Sequence, residues 1–257
     1  MCTTCGCGTT KQLLLRKPGG KPRQITGMEL VLDHSHHSGD KNSKIIQLEK
    51  DILQTNTSLA EENEKFFQEN NIIALNLVSS PGSGKTSLLE RTLIDLSAEV
   101  NFSVIEGDQQ TMQDANRIDA TNTPVIQINT GQACHLDGEM IKKAVQELKP
   151  KKNSMLFIEN VGNLVCPALF KLGEKDRIVI LSVTEGDDKP LKYPDMFSSS
   201  DICIINKIDL LPYVNFDIKS FKNNALLINH HLVFYEVSAT TGEGMEQWYA
   251  YLKKQLH

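Results

Sequence analysis

Ser79-Ser80-Pro81-Gly82-Ser83-Gly84-Lys85-Thr86 decides how the chain reads. Before it runs Ile72-Ile73-Ala74-Leu75-Asn76-Leu77-Val78, short, apolar and rich in β-favouring residues. After it runs Ser87-Leu88-Leu89-Glu90-Arg91-Thr92-Leu93-Ile94, with apolar residues at helical spacing. Strand, glycine-rich loop, helix is the layout of a phosphate-binding loop. Its backbone N–H groups and the following helix dipole face negative charge, and Gly82 and Gly84 let the backbone approach closely because they lack a Cβ. Gly82 through Ser87 form the expected cradle, with Lys85 on the β- and γ-phosphates and the Thr86 hydroxyl on Mg²⁺. The general pattern, G-x-x-x-x-G-K-[ST], has Ser79 in place of its first glycine. That is tolerable if the position does not need a positive φ.

Outward from this loop, short apolar runs alternate with helix-like stretches. Phe102 to Glu106, Val125 to Ile128, Met155 to Ile158, Ile178 to Val183, Ile202 to Ile205 and Leu232 to Val237 read as strands, while Leu136 to Leu148 and Gly244 to Leu252 read as helices. Such alternation predicts an α/β fold, a mostly parallel sheet flanked by helices on both faces, with ligands at the carboxyl ends of the strands. Residues 43–68 read as a leading helix, with a break near Thr55-Asn56-Thr57. The expected domain is 41–257.

Bulk properties agree. The 257 residues are 40% hydrophobic and 23% charged, as in a soluble globular protein. A net charge of −5 argues against a general nucleic-acid binder. No apolar run approaches the roughly 20 residues that cross a bilayer, and the N-terminus has no apolar signal region. A cytoplasmic location follows, where the six cysteines are thiols or metal ligands rather than disulfides.

Segment 1–40 is expected to be a flexible, Cys- and His-containing metal-binding extension. Cys2, Cys5 and Cys7 can wrap one Zn²⁺, Ni²⁺ or Cu⁺ ion. Thr9 to Gly27 is basic, with Pro and Gly and no acid, and reads as a flexible linker. His34, His36 and His37 are either a weak metal site or a solvated loop.

Base choice is written in Asn206-Lys207-Ile208-Asp209, after the Ile202 strand. The Asp209 carboxylate can accept both guanine N–H groups of the Watson–Crick edge, a donor pair adenine lacks. The Lys207 stem would lie along the base, and Asn206 would brace the loops. Ser238-Ala239-Thr240 follows the last strand and fits a loop whose backbone meets the guanine O6. Two strand-end acids, Asp108 and Glu159, are candidates to hold Mg²⁺ or its waters. With Lys85 and Thr86 they form the expected catalytic set. Cys134 and His135 follow the Val125 strand, and Cys166 follows Glu159 by seven residues. Two thiolates and an imidazole suit Zn²⁺ or Ni²⁺; small buried cysteines are the bland alternative. Cys203, inside an apolar run, reads as structural.

Together, Cys2-x-x-Cys5-Gly6-Cys7, the run Ser79 to Thr86, Gly131-Gln132-Ala133-Cys134-His135-Leu136-Asp137, Glu159-Asn160-Val161-Gly162-Asn163-Leu164-Val165-Cys166-Pro167 and Asn206-Lys207-Ile208-Asp209 give the chain its resemblance. It resembles the HypB family of nickel-incorporation GTPases, of the SIMIBI class of P-loop NTPases. The resemblance implies hydrolysis of GTP to GDP coupled to Ni²⁺ delivery during [NiFe]-hydrogenase maturation. It implies a GTP-dependent homodimer that works beside a HypA-type metallochaperone on the hydrogenase large subunit precursor. It further implies a Ni²⁺ or Zn²⁺ site at Cys134, His135 and Cys166, and a separate nickel site at the N-terminal cysteines. Other readings are a urease-type nickel-insertion GTPase and a nickel or zinc storage protein with a regulatory nucleotide site.

Overall fold

A computed structural model describes residues 12–26, 41–109, 111–131 and 133–256. Cys2, Cys5, Cys7, His34, His36 and His37 lie outside the described residues, so the readings made on them do as well.

The strand at the centre is β3 (Ile72–Ser79), which leads into the glycine-rich loop. Its neighbours are β6 (Ser154–Gly162) and β7 (Asp176–Ser182). Outward on one side come β4 (Phe102–Asp108) and β5 (Val125–Asn129), and on the other β8 (Ile202–Asn206) and β9 (Val233–Glu236). All these strands pair in parallel, so their carboxyl ends share one rim. Apolar side chains project from both pleat faces, as strands covered on both sides require.

Helix α2 (Lys85–Leu96), α3 (Gln113–Asp119) and α8 (Met245–Gln255) cover one face through Leu88, Leu93, Ile118 and Trp248. On the other face, α1 (Lys41–Glu69) and α4 (Gly138–Leu148) pack over β4, β5 and β6. There too, α6 (Pro194–Ser198) and α7 (Ile218–Ile228) pack over β7 and β8, with α5 (Lys189–Lys192) beside α7. Cys203 is wholly buried there, and burial pushes its thiol far above the ordinary range, which fits the structural reading. No helix among the described residues is long and apolar enough to cross a membrane.

Two expectations need correction. Within the basic stretch read as a linker, β1 (Gln12–Arg16) and β2 (Arg23–Thr26) form an antiparallel hairpin. Strand β1 adds antiparallel to β5, extending the sheet to nine strands among the described residues. Leu15 turns into the core, while Lys17 and Arg23 meet Glu147. Nor does α1 break at Thr55-Asn56-Thr57. The Thr55 and Thr57 hydroxyls donate to the carbonyls of Asp51 and Leu53, each 2.8 Å away, within the helix. Asn56 turns inward: it donates to the Lys171 carbonyl and accepts from the Gly138 N–H, both at 2.8 Å. Asn63, two turns on, donates to the carbonyls of Gly138 and Leu172. Gly138 lets the two helices approach closely, since a Cβ would stand only 3.0 Å from that of Leu59 and 3.1 Å from the Ala60 nitrogen.

Candidate nucleotide and metal site

The glycine-rich loop forms as the sequence predicts. Gly82 and Gly84 have φ of +80° and +87°, conformations that L side chains rarely adopt. A Cβ on Gly84 would also meet the Asn206 amide at 2.6 Å. Ser79 is not among the described non-glycine residues of positive φ, so the missing glycine there costs nothing.

The guanine-side loops converge on Asn206. Its amide donates to the Ser83 carbonyl at 3.0 Å, and its oxygen accepts from the N–H groups of Lys207 and Ala239. One side chain thus ties the phosphate loop to both base-reading loops. Lys207 adopts φ 63° and lays its ammonium on the Gly82 carbonyl at 2.6 Å. The Ser238 hydroxyl accepts from Thr241 N–H and shapes its own turn. Asp209 Oδ1 and Ser83 Oγ are buried without a hydrogen-bond partner among the described residues. Such orphans cost about 1–3 kcal/mol each, and a ligand that supplies donors removes that cost.

At the phosphate end, Glu159 Oε1 accepts from Lys85 Nζ at 2.7 Å and from the Thr86 hydroxyl at 2.6 Å. Glu159 is fully buried, and its Oε2 has no partner among the described residues. Sheet register sets Glu106 of β4 opposite Glu159 of β6. Burial, then repulsion from Glu159, pushes the Glu106 carboxyl up to about 9, with Lys85 opposing. Glu106 is therefore protonated at neutral pH. Asp114, on α3, lies beside Thr86, and burial followed by repulsion from Glu159 raises its pKa as well. Three acids crowd one lysine here, and two buried carboxylate oxygens, one on Glu106 and one on Glu159, have no hydrogen-bond partner among the described residues. This donor set fits a hard divalent cation.

Asp108, near enough to help raise the Glu106 pKa, is bonded locally. Its carboxylate accepts from the N–H groups of Gln109 and Thr111 and from the Thr111 hydroxyl, capping its own turn. Sequence reasoning passed over Glu106 and Asp114, which reach Lys85 and Thr86 only through strand register and the docking of α3. Arg117 holds that helix on α2 through Glu90 at 2.6 Å and Ser87 at 3.1 Å.

Cys134, His135 and Cys166 come together. Their ligand atoms all lie within 4.8 Å of one another, and Cys134 Sγ is 3.8 Å from His135 Nδ1. A tetrahedral ion with metal–sulfur bonds of about 2.3 Å holds its ligand atoms roughly 4 Å apart, so little closure is needed. The His135 ring is buried and stacks on Phe170 with centroids 3.9 Å apart. Cys134 and His135 sit between β5 and α4, and Cys166 starts a short 3₁₀ turn (Cys166–Leu169) after β6. Asp137 caps α4 by accepting from Met140 N–H at 2.8 Å.

The two sites meet on β6. The step from Leu77 to Ser79 on β3 faces Glu159 to Gly162 on β6, so β6 carries one extra residue there. Such a bulge re-aims side chains. Glu159 meets Lys85 and Thr86, while its neighbour Asn160 accepts from the Leu136 N–H at 3.2 Å, next to His135. Nothing local in the sequence marks Asn160 for this task.

Comparison with known proteins gives the chain its family. The family model described as "CobW/HypB/UreG, nucleotide-binding domain" matches residues 73–236. The hydrogenase maturation factor HypB of Escherichia coli (strain K12) is 45% identical over 287 aligned positions, covering 99% of both chains. That of Rhizobium leguminosarum is 57% identical over 218, covering 85% of this chain and 73% of the relative. The crystal structure of HypB from Helicobacter pylori in complex with nickel aligns with TM-score 0.73 and 38% identity, covering 79% of this chain and 95% of that one. The chain belongs to the CobW/HypB/UreG family and, within it, to the HypB hydrogenase maturation factors.

Proposed function

We propose that this protein hydrolyses GTP to drive nickel delivery during maturation of [NiFe]-hydrogenase. One observation carries the reading: Glu159 and Asn160 are consecutive on β6, one holding Lys85 and Thr86, the other the backbone beside His135. A ligand at the phosphate loop must displace the Lys85–Glu159 contact, and the strand that responds bears the metal loops.

In this reading Gly82 to Ser87 cradle the phosphates, and Lys85 neutralises charge on the γ-phosphoryl group. Asn206, Lys207, Asp209, Ser238 and Ala239 receive guanine. Thr86 and Glu159, with Asp114 beside them, would hold Mg²⁺, which would offset negative charge developing on the phosphates. Freed from Glu159, Lys85 is able to follow charge as it develops, a gain made in the transition state. Asp108 then braces the segment after β4 through Gln109 and Thr111.

Cys134, His135 and Cys166 are the cargo site. Ni²⁺ is the cargo the relatives favour, since the Helicobacter pylori homologue is a nickel complex; Zn²⁺ suits the same donors. Three ligands leave a position for a donor from the recipient. A GTP-dependent homodimer, a HypA-type donor, the hydrogenase precursor as recipient and a cytoplasmic location complete the proposal. The N-terminal cysteines are a second nickel site.

The test is complementation. In cells lacking their own homologue, the wild-type chain should restore [NiFe]-hydrogenase activity, and Lys85→Ala and Cys134→Ala should each fail at wild-type expression. Full activity from Cys134→Ala would overturn the cargo assignment.

A further inference from the structure

Both metal-bearing loops trace back to one buried ion pair that the function described so far does not use. Arg177, second residue of β7, is 4% exposed, and its side chain meets Glu174, itself 7% exposed. The guanidinium spends all its N–H groups. Nε and Nη2 donate to Glu174 Oε1 at 3.1 and 2.9 Å. Nη1 donates to the Ala168 carbonyl at 2.9 Å and the Ser199 hydroxyl at 3.0 Å, and Nη2 also donates to the Phe170 carbonyl at 2.7 Å. A buried ion pair is often no more stabilising than apolar residues of the same volume. What this one adds is direction: it sets the course of residues 168–170, just downstream of Cys166, and Phe170 lays its ring on His135.

A second arm reaches the other loop. Glu174 Oε1 also accepts from Asn76 Nδ2 at 3.0 Å; Asn76 Oδ1 accepts from Asn160 Nδ2 at 3.3 Å; Asn160 Oδ1 accepts from the N–H groups of Leu136 and Val161 at 3.2 and 3.0 Å. The amide orientations follow from chemistry. Asn160 faces two backbone donors with its oxygen, so its nitrogen must donate to Asn76, whose own nitrogen then meets a carboxylate. Asn76, Asn160 and Arg177 are all buried, so the relay is shielded from water. Glu174 Oε2 takes the Leu172 N–H at 2.6 Å, closing the loop from below.

We infer that Arg177 is a positioning residue for the Cys134/His135/Cys166 cluster, holding Cys166's loop through the Ala168 and Phe170 carbonyls and His135's loop through Glu174, Asn76 and Asn160. The inference rests on reading that cluster as a metal site. Outer partners of this kind typically set metal affinity by about 10–100-fold. Lysine cannot stand in, because it has three donors and no planar fork.

The test uses the full chain with Cys2, Cys5 and Cys7 replaced by alanine, titrated with Ni²⁺ and followed by thiolate-to-nickel charge-transfer absorption. Adding Arg177→Lys should weaken Ni²⁺ about 10–100-fold and shift the band, with the GTP KM unchanged. Phe170→Ala, at a half-buried position that leaves the backbone intact, should weaken it less and in the same direction. A folded Arg177→Lys protein with the parent's affinity and band overturns the inference. If Arg177→Lys does not fold, Asn76→Ala, which cuts the second arm between Glu174 and Asn160, is measured beside Phe170→Ala: parental affinity and band in both overturn it. A parent with no nickel band overturns the metal reading itself, an outcome distinct from either variant result.

Discussion

The two halves of the strand-end rim are built differently. The proposed nucleotide half, at β3, β8 and β9, is a backbone device. Its glycines hold positive φ, Asn206 ties three loops together, and buried oxygens on Asp209 and Ser83 have no partner among the described residues. The proposed metal half, after β5 and β6, is a side-chain device. Two loops bring three ligand atoms together, and buried asparagines and an arginine hold those loops from behind. A site made of local backbone is specified by short motifs. A site made by meeting loops is specified by whatever fixes the loops, and those residues lie far away in sequence.

Substitutions can break this contrast at either end. Lys85→Ala should have the largest effect, lowering kcat for GTP about 10²–10³-fold, the usual cost of one preorganised donor on developing charge. Steady-state phosphate release measures it. Asp209→Asn should weaken GTP about 10–100-fold, the worth of hydrogen bonds to a charged acceptor. It should strengthen xanthosine triphosphate, whose carbonyl in place of the guanine amino group meets the new amide N–H. Competition binding with the two nucleotides reads both signs, and unchanged selectivity would remove Asp209 from the base site.

On the metal half, Asn56→Ala leaves the Gly138 N–H and the Lys171 carbonyl without that partner in a buried place. Apo stability should fall about 1–3 kcal/mol, seen in urea unfolding, with the GTP KM unchanged. Between the halves, Glu106 has a folded pKa of about 9 against an ordinary 4.5. The folded state therefore holds a proton that the unfolded chain releases above its lower value, so stability falls as pH rises from about 4.5 to about 9. Glu106→Gln removes that loss. The variant should melt higher than wild type at pH 8, with the gain vanishing near pH 5; a constant difference across that range would contradict the assignment.

How much the sequence revealed follows the same division. The glycine-rich loop, the Asn206 to Asp209 box and the alternating strands were legible because each depends on near neighbours in the chain. The ligand trio was legible as residue types, since thiolate and imidazole chemistry needs no fold to be named. The hairpin Gln12–Thr26 was not, because a short basic stretch gains strand structure only by pairing with β5, over a hundred residues on. The Thr55-Asn56-Thr57 stretch looked like a helix break on propensity, and tertiary bonds from Asn56 overrode it. Glu106 and Asp114 gave no local sign, and Asp108, which did, caps a turn. Arg177, just before the Ile178 run, carries no local sign; its burial and its five hydrogen bonds single it out.

The central claim is that the phosphate loop and the thiolate–imidazole cluster share one responsive strand, β6. Its most direct test is the Ni²⁺ affinity of the full chain lacking Cys2, Cys5 and Cys7, measured once with Mg²⁺-GDP and once with a Mg²⁺-bound non-hydrolysable GTP analogue. Coupling of about 1–3 kcal/mol, a 5–150-fold difference between the two, is the predicted result. Equal affinities would contradict it, because a nucleotide that does not change metal binding cannot drive metal release.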